Sequence, residues 1–183
     1  MATNHGRITL ILGGARSGKS SHAQNLAEAA GRSVIFLATA QALDEEMSTR
    51  IQKHRAERPA GWQTLEIPFD LAPHLPQIKS EVVILDCITL LISNLLMQFV
   101  KEDLVDEELF MLAVKKEING LIDLFSEHNQ HWIIVSNELG LGLVPAYQMG
   151  RVYRDALGWA NQRLAREADQ VLFMVAGIPV VVK

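Results

Sequence analysis

Apolar residues fall along this chain in short runs, with helical patterns between them. The runs are Ile8–Leu12, Val34–Ala38, Val82–Leu85, Trp132–Ser136, Val171–Val175 and Ile178–Val182. They are rich in β-branched residues and nearly continuous, as expected of strands covered on both faces. The patterns between them predict helices over Lys19–Ala30, Asp44–Arg58, Leu90–Lys101, Asp106–His128 and Tyr147–Ala168. Strand and helix alternate, which predicts an α/β domain with a mostly parallel sheet and helices on both faces. Gly177 followed by Pro179 predicts that the last two strands form a hairpin, giving an antiparallel C-terminal edge. Glu102–Asp106 is acidic and is expected to turn between two helices. Gly61–Pro76 is the least regular stretch, with one short strand expected around Thr64–Ile67. The apolar faces of Leu90–Phe99 and Leu109–Phe125 read as core or oligomer contacts.

The chain has 183 residues, which suits a single domain over 1–183. Its net charge of −4 gives no electrostatic reason to expect a nucleic-acid partner. Cys87 is the one cysteine, so an internal disulfide and a Cys-rich zinc site are both excluded, and a reducing, cytoplasmic setting is expected. No apolar stretch reaches the ~18–20 residues that a membrane span needs. The N-terminal apolar run ends in a glycine loop and a lysine, so it reads as a buried strand and not as a signal peptide.

That loop carries the chemistry. Gly13-Gly14-Ala15-Arg16-Ser17-Gly18-Lys19-Ser20 fits G-x-x-x-x-G-K-[ST], between an apolar strand and an Ala/Leu-patterned helix. Glycines let the backbone curl so that successive N–H groups point at phosphate oxygens, and the helix adds its positive end. Lys19 is expected to reach the β- and γ-phosphates of a purine nucleoside triphosphate, and Ser20 to ligate Mg²⁺. A second carboxylate on the Mg²⁺ side is needed at the end of another strand, and Asp86 follows the apolar Val82–Leu85. An aspartate there also suits a helix cap. The metal role is preferred because strand and phosphate loop occur together.

On the predicted helix Asp44–Arg58, Leu43, Met47 and Ile51 share a face with Arg50, His54 and Arg58. The stripe turns from apolar to basic, and Pro59 ends the helix. One reading is a cationic last turn that suits the helix dipole, with His54 half-buried. The other is an imidazole nucleophile between arginines that neutralise phosphate oxygens, able to form a nucleotidyl-histidine. Spacing alone does not choose between them.

Several segments together resemble one family: GGARSGKS (13–20), FLATAQALDEEMSTRIQKHRAERP (36–59), LDCITLLISNLL (85–96), VSNELGLGLVP (135–145), RDALGWANQRLA (154–165) and AGIPVVVK (176–183). The chain resembles the bifunctional adenosylcobinamide kinase/adenosylcobinamide-phosphate guanylyltransferases of cobalamin biosynthesis, from Ile8 to Lys183. The phosphate loop is shared by many families; H-R-x-x-R-P, S-N-E-x-G-x-G-x-V-P and R-D-x-x-G-x-x-N-Q-R-L-A are far more specific. The resemblance implies a RecA-like P-loop fold, a homotrimer, and two reactions. ATP or GTP phosphorylates the aminopropanol hydroxyl of adenosylcobinamide. GMP from GTP then passes through a guanylylated histidine, matched here by His54, to give adenosylcobinamide-GDP and pyrophosphate. It also implies nucleotide contacts at Gly13–Ser20, at Ala38, Thr39 and Ala40, at Arg55, Ala56, Glu57 and Arg58, and at Glu66 and Asp86. Some family members carry glutamate where this chain has Asp86, about one methylene longer. Kinase alone, or a RecA-like nucleotide switch without a small-molecule acceptor, are the competing functions.

Other positions are weaker. Ser136-Asn137-Glu138 suits base positioning or capping, and Gly140 and Gly142 a mobile or tightly turned loop. Arg151, Arg154 and Arg163 are candidates for a substrate phosphate or a neighbouring subunit, and Asn161-Gln162 for subunit contacts. His5, His22, His74, His128 and His131 show no metal-ligand spacing.

Overall fold

The computed structural model describes residues 6–42, 44–102, 104–127 and 129–183. Leu43, His5 and His128 lie outside them, as does the side chain of Arg50. In chain order the elements are β1 (Ile8–Gly13), α1 (Lys19–Ala29), β2 (Val34–Ala38), α2 (Glu45–Ala56), β3 (Gln63–Glu66), a 3₁₀ turn (Ala72–Gln77), β4 (Val82–Asp86) and α3 (Ile88–Leu96). A second 3₁₀ turn (Met97–Phe99) follows, then β5 (Val100–Lys101), β6 (Leu104–Val105), α4 (Glu107–Glu127), β7 (His131–Val135), α5 (Gln148–Glu167), β8 (Gln170–Val175) and β9 (Ile178–Val181).

The main sheet runs β3-β2-β4-β7-β1-β8-β9. All its pairs are parallel except β8 with β9. The expected hairpin is there: Ala176 and Gly177, both at positive φ, join the two strands, as a tight two-residue connection requires. The expected parallel α/β architecture is there too.

Alternate residues of each strand serve two cores, which is why the strands read as unbroken apolar runs. Leu10, Ile35, Leu37, Val83, Leu85, Trp132 and Ile134 face the larger core, with residues of α3, α4 and α5. Ile11, Phe36, Ile84, Ile133 and Leu172 face the smaller one, where α1 presents Ala23 and Ala27. Small residues one turn apart bring α1 close to the sheet, and Lys19 lies one turn earlier on the same buried stripe.

The helix expected over Leu90–Lys101 is a correction. It spans Ile88–Leu96, and Val100–Lys101 instead pairs antiparallel with Leu104–Val105. Phe99 packs against Phe110 of α4 at 6.3 Å between ring centroids, and its carbonyl accepts from the Asp106 N–H. Docking Phe99 there takes the chain off the helical path, and Glu102 turns it back at a φ of 49°. The acidic turn thus joins two short strands rather than two helices. Leu109 and Leu112 are exposed, while Phe110, Val114, Ile118, Leu121 and Phe125 form the core side of α4.

His131, at the start of β7, places Nε2 3.1 Å from the Thr9 hydroxyl. Burial pushes its imidazole down to about 4, helped by Arg7 and Arg32 and opposed by Asp169. The folded state therefore holds this ring neutral over a range in which the unfolded chain, titrating near 6.5, takes up a proton. The sign follows directly: the contribution is full above 6.5 and is lost as pH falls towards about 4. Thermal melts at pH 7 and pH 5 are expected to show a smaller acid-induced loss of Tm in His131→Gln than in the parent chain; equal losses would refute it.

Candidate active site

The phosphate loop leaves β1 between β7 and β8, at the carboxyl edge of the sheet. Gly13 has a φ of 149°, and a Cβ there would lie 2.8 Å from both the Met174 carbonyl oxygen and Ser17 Oγ. Gly18 has a φ of 90°, and its Cβ would meet Gly177 Cα at 3.3 Å. The Gly177 N–H donates to the Ser17 carbonyl at 3.0 Å, so the β8–β9 turn braces the loop from behind. Gly14, Ala15 and Arg16 face solvent at the mouth. The Ser17 hydroxyl oxygen is buried without a partner, one orphaned polar group inside the cradle.

Lys19 is 8% exposed and donates to the Gly14 carbonyl at 2.6 Å. Burial pulls its ammonium below the usual lysine value, against the attraction of Cys87 and Asp86. A cation desolvated in this way gains most from a polyphosphate in the cradle.

Strand pairing sets Glu66, Ala38, Asp86 and Val135 in one row at the ends of β3, β2, β4 and β7. Asp86 is the centre of that row. Burial raises its carboxyl above the usual carboxylate range, while a hydrogen bond with Ser20 and the charges of His54, Arg58 and Lys19 pull it back. Cys87, not Asp86, holds the N-cap position of α3, which removes the capping alternative. Ser20 and Asp86 together offer hard oxygen donors of the kind Mg²⁺ takes alongside phosphates and water. No cluster of three or more His, Cys, Asp or Glu suited to a metal occurs among the described residues, so an all-protein metal cage is not what they form.

The described α2 begins at Asp44, whose carboxylate accepts from the Met47 N–H at 2.7 Å. Met47, Ile51 and His54 lie on its partly covered side, with Arg58 just beyond its end, whereas Lys53, Arg55, Ala56 and Glu57 are exposed. Of the predicted stripe, Met47, Ile51, His54 and Arg58 are thus partly covered, and no described side chain of α2 is fully buried. Glu57 Oε2 lies 3.6 Å from His54 Nδ1. Arg55 pairs with Glu66 at 3.5 Å. Arg58 stacks 3.7 Å over the Phe36 ring and donates to Thr64 Oγ1 at 3.2 Å, and burial lowers its pKa against the pull of Asp86.

Thr39 is fully buried and fastens the neighbouring strand end. Its hydroxyl donates to the Cys87 carbonyl and accepts from the Cys87 N–H, each at 2.8 Å. Asn94 ties the Thr39 carbonyl to that of Pro68, at 2.8 and 2.9 Å. Burial pushes the Cys87 thiol up to about 12, so this cysteine is inert, as a small buried residue should be.

Ser136 to Glu138 cap no helix, since the next one starts at Gln148. The Asn137 peptide is clamped: its N–H donates to Thr89 Oγ1 at 2.8 Å, and its carbonyl accepts from Asn161 Nδ2 at 3.0 Å. Asn161 is thus interior, which corrects its expected place at a subunit contact; Gln162 is exposed. Three α5 arginines have partners within the chain. Arg151 donates to the Pro145 and Ala146 carbonyls, Arg154 pairs with Asp155, and Arg163 with Glu167. A cavity of about 910 Å³ at the β3 edge, lined by Gln63, Leu65, Glu66, His74 and Lys79 among others, meets this site only through Glu66.

The chain has relatives among known proteins. The chain is 44% identical to the bifunctional adenosylcobalamin biosynthesis protein CobP of Pseudomonas aeruginosa over 95% of this chain and 96% of the relative. It is 38% and 40% identical to the bifunctional adenosylcobalamin biosynthesis proteins CobU of Escherichia coli and Salmonella typhimurium, over 96% of this chain and 99% of each relative. Among solved structures it resembles the RadB recombinase with a TM-score of 0.50 over 92% of this chain and 74% of that one; at 12% identity this speaks to the RecA-like fold alone. The family described as cobinamide kinase / cobinamide phosphate guanyltransferase matches residues 9–182, and the chain belongs to that family.

Proposed function

We propose that this protein phosphorylates adenosylcobinamide with ATP or GTP and then transfers GMP from GTP to the new phosphate. The observation that carries the reading is the row of strand ends Glu66, Ala38 and Asp86, with Arg55 of α2 paired to Glu66 at 3.5 Å. The histidine-bearing helix is thereby tied to the same sheet edge as the phosphate cradle.

In the first step the acceptor hydroxyl oxygen attacks the γ-phosphorus, the bond to the β–γ bridging oxygen breaks, and the nucleoside diphosphate leaves. The backbone N–H groups of the 13–20 loop and Lys19 hold the polyphosphate. Mg²⁺ held by Ser20 and Asp86 would neutralise charge on the β- and γ-oxygens. In the second step a nitrogen of His54 attacks the α-phosphorus of GTP and pyrophosphate leaves. Glu57 stands beside Nδ1, which favours Nε2 as the attacking nitrogen. A phosphate oxygen of adenosylcobinamide phosphate then displaces the imidazole, giving adenosylcobinamide-GDP. Arg55 and Arg58 neutralise the oxygens around the α-phosphorus. Ala40 and Glu66 line the nucleotide's other end, while the buried Ala38 and Thr39, expected as contacts, hold that strand end in place.

One nucleotide pose serves both attacks poorly, because they occur at different phosphorus atoms. Movement of α2, or rebinding of GTP, between the steps resolves this, and the absence of a fully buried described side chain on α2 supports it. The protein works as a cytoplasmic homotrimer in this reading. The exposed Ile178, Val180 and Val181 on β9 support association, and no helix among the described residues is long and apolar enough to cross a membrane.

The test is mass spectrometry after incubation with GTP and Mg²⁺, together with product analysis when cobinamide is supplied. One added GMP, labile to acid and stable to base, and corrinoid-dependent release of pyrophosphate are expected. GTP turnover indifferent to corrinoid would instead indicate a nucleotide switch.

A further inference from the structure

We infer that the 139–147 loop is the acceptor platform, an apolar surface on which the corrin ring rests while its hydroxyl arm reaches the phosphate cradle. This rests on the acceptor being a cobinamide, as proposed above. The loop is rooted at the cradle itself: the Glu138 N–H donates to the Gly13 carbonyl at 3.1 Å. Both of its ends are fastened. At the near end the Glu138 carboxylate accepts from the Gly140 N–H at 2.5 Å. At the far end Arg151 holds the carbonyls of Pro145 and Ala146 at 3.2 and 2.7 Å. Gly150 lets the Tyr147 ring lie against the start of α5, since a Cβ there would come within 2.7 Å of it.

Between these anchors the side chains turn outward. Leu141 is 83% exposed and Leu143 is 96% exposed, and Val144 and Tyr147 are also exposed. A held backbone that displays leucines is a preformed binding surface and not a loop collapsed on its own core. Its position limits what it binds. The acceptor oxygen must approach the γ-phosphorus from the open mouth of the cradle, next to the loop root. A corrin is a broad, methyl-fringed ring whose reacting hydroxyl sits at the end of a flexible arm. It therefore needs an apolar rest displaced from the cradle by about an arm's length. The loop offers that chemistry in that place. A purine nucleotide, served in the proposed reading by the ends of β2 and β3 beyond β4, does not need it.

The experiment uses the full chain with cobinamide as the probe. Leu141→Asn and Leu143→Asn alter fully displayed side chains, so folding is not at stake. Their double variant is expected to raise the KM for cobinamide about tenfold or more while the KM for ATP stays within about twofold. Equilibrium dialysis followed by corrin absorbance should show the same loss of binding without turnover. Leu112→Asn, on the remote exposed side of α4, should change neither. Light scattering should give one mass for all variants. An unchanged cobinamide KM overturns the inference, and so does a change of mass in the loop variants, which would make the loop a subunit contact. A parent chain that binds ATP but neither binds nor phosphorylates cobinamide overturns the underlying functional reading, and the platform with it. A parent that works while the loop variants match it overturns the platform alone.

Discussion

Replacing His54 with asparagine is expected to abolish guanylyl transfer, by about 10⁴-fold or more, while cobinamide phosphorylation falls by no more than about tenfold. The asymmetry follows from where the side chain sits. His54 is on α2, outside the phosphate loop, and the helix meets the sheet edge through the Arg55–Glu66 pair. Only the second reaction needs a nitrogen to form a bond to phosphorus. Asparagine keeps polarity at a partly exposed position, so stability should barely move. Radiolabelled GTP should leave no acid-labile label on the variant, and cobinamide phosphate should accumulate in place of the GDP product. A variant that retains the label would move the nucleophile elsewhere. A variant that loses both reactions equally would make His54 a binding residue.

Lys19→Met should spare neither reaction. Phosphoryl transfer should fall by about 10²–10³-fold, the cost of removing one charged donor from a preorganised site. GTP binding should suffer too, so both reactions are hit. The free protein, however, should be at least as stable as the parent. The parent holds an ammonium 8% exposed, drawn below its ordinary pKa by burial, with one backbone carbonyl as hydrogen-bond acceptor. Methionine fills the same tube without that desolvation. Melting with and without ATP and Mg²⁺ separates the effects: an equal or higher Tm for the variant alone, and a ligand-induced rise seen only in the parent. A large fall in the variant's own Tm would mean that the lysine is structural.

The sheet was legible in the sequence because its strands are buried on both faces, so apolar runs such as Val82–Leu85 marked them within a residue or so. The phosphate loop was legible because its glycines have conformational duties that the motif encodes. The β5–β6 hairpin was not, since two-residue strands leave no periodicity and a contact far along the chain, Phe99 against Phe110, decides where α3 stops. Asp86 was ambiguous in sequence because a strand end before a helix suits both capping and ligation, and only the fold shows that Cys87 takes the N-cap position. The Asn161–Asn137 clamp left no signal at all, because buried amides on a helix look like exposed ones until the partner carbonyl is known. The apolar letters of the 139–147 segment suggested nothing unusual, and their exposure is a fact of the fold.

The brace between Ser17 and Gly177 has a bearing on synthesis. During translation the glycine-rich segment emerges early, but β1 has its neighbours only in β7 and β8, and the turn behind the loop comes later still. A ribosome-bound nascent chain lacking those parts has no finished place for a triphosphate. The first catalytic segment to be made is among the last to become competent, so an interrupted chain consumes no cellular nucleotide.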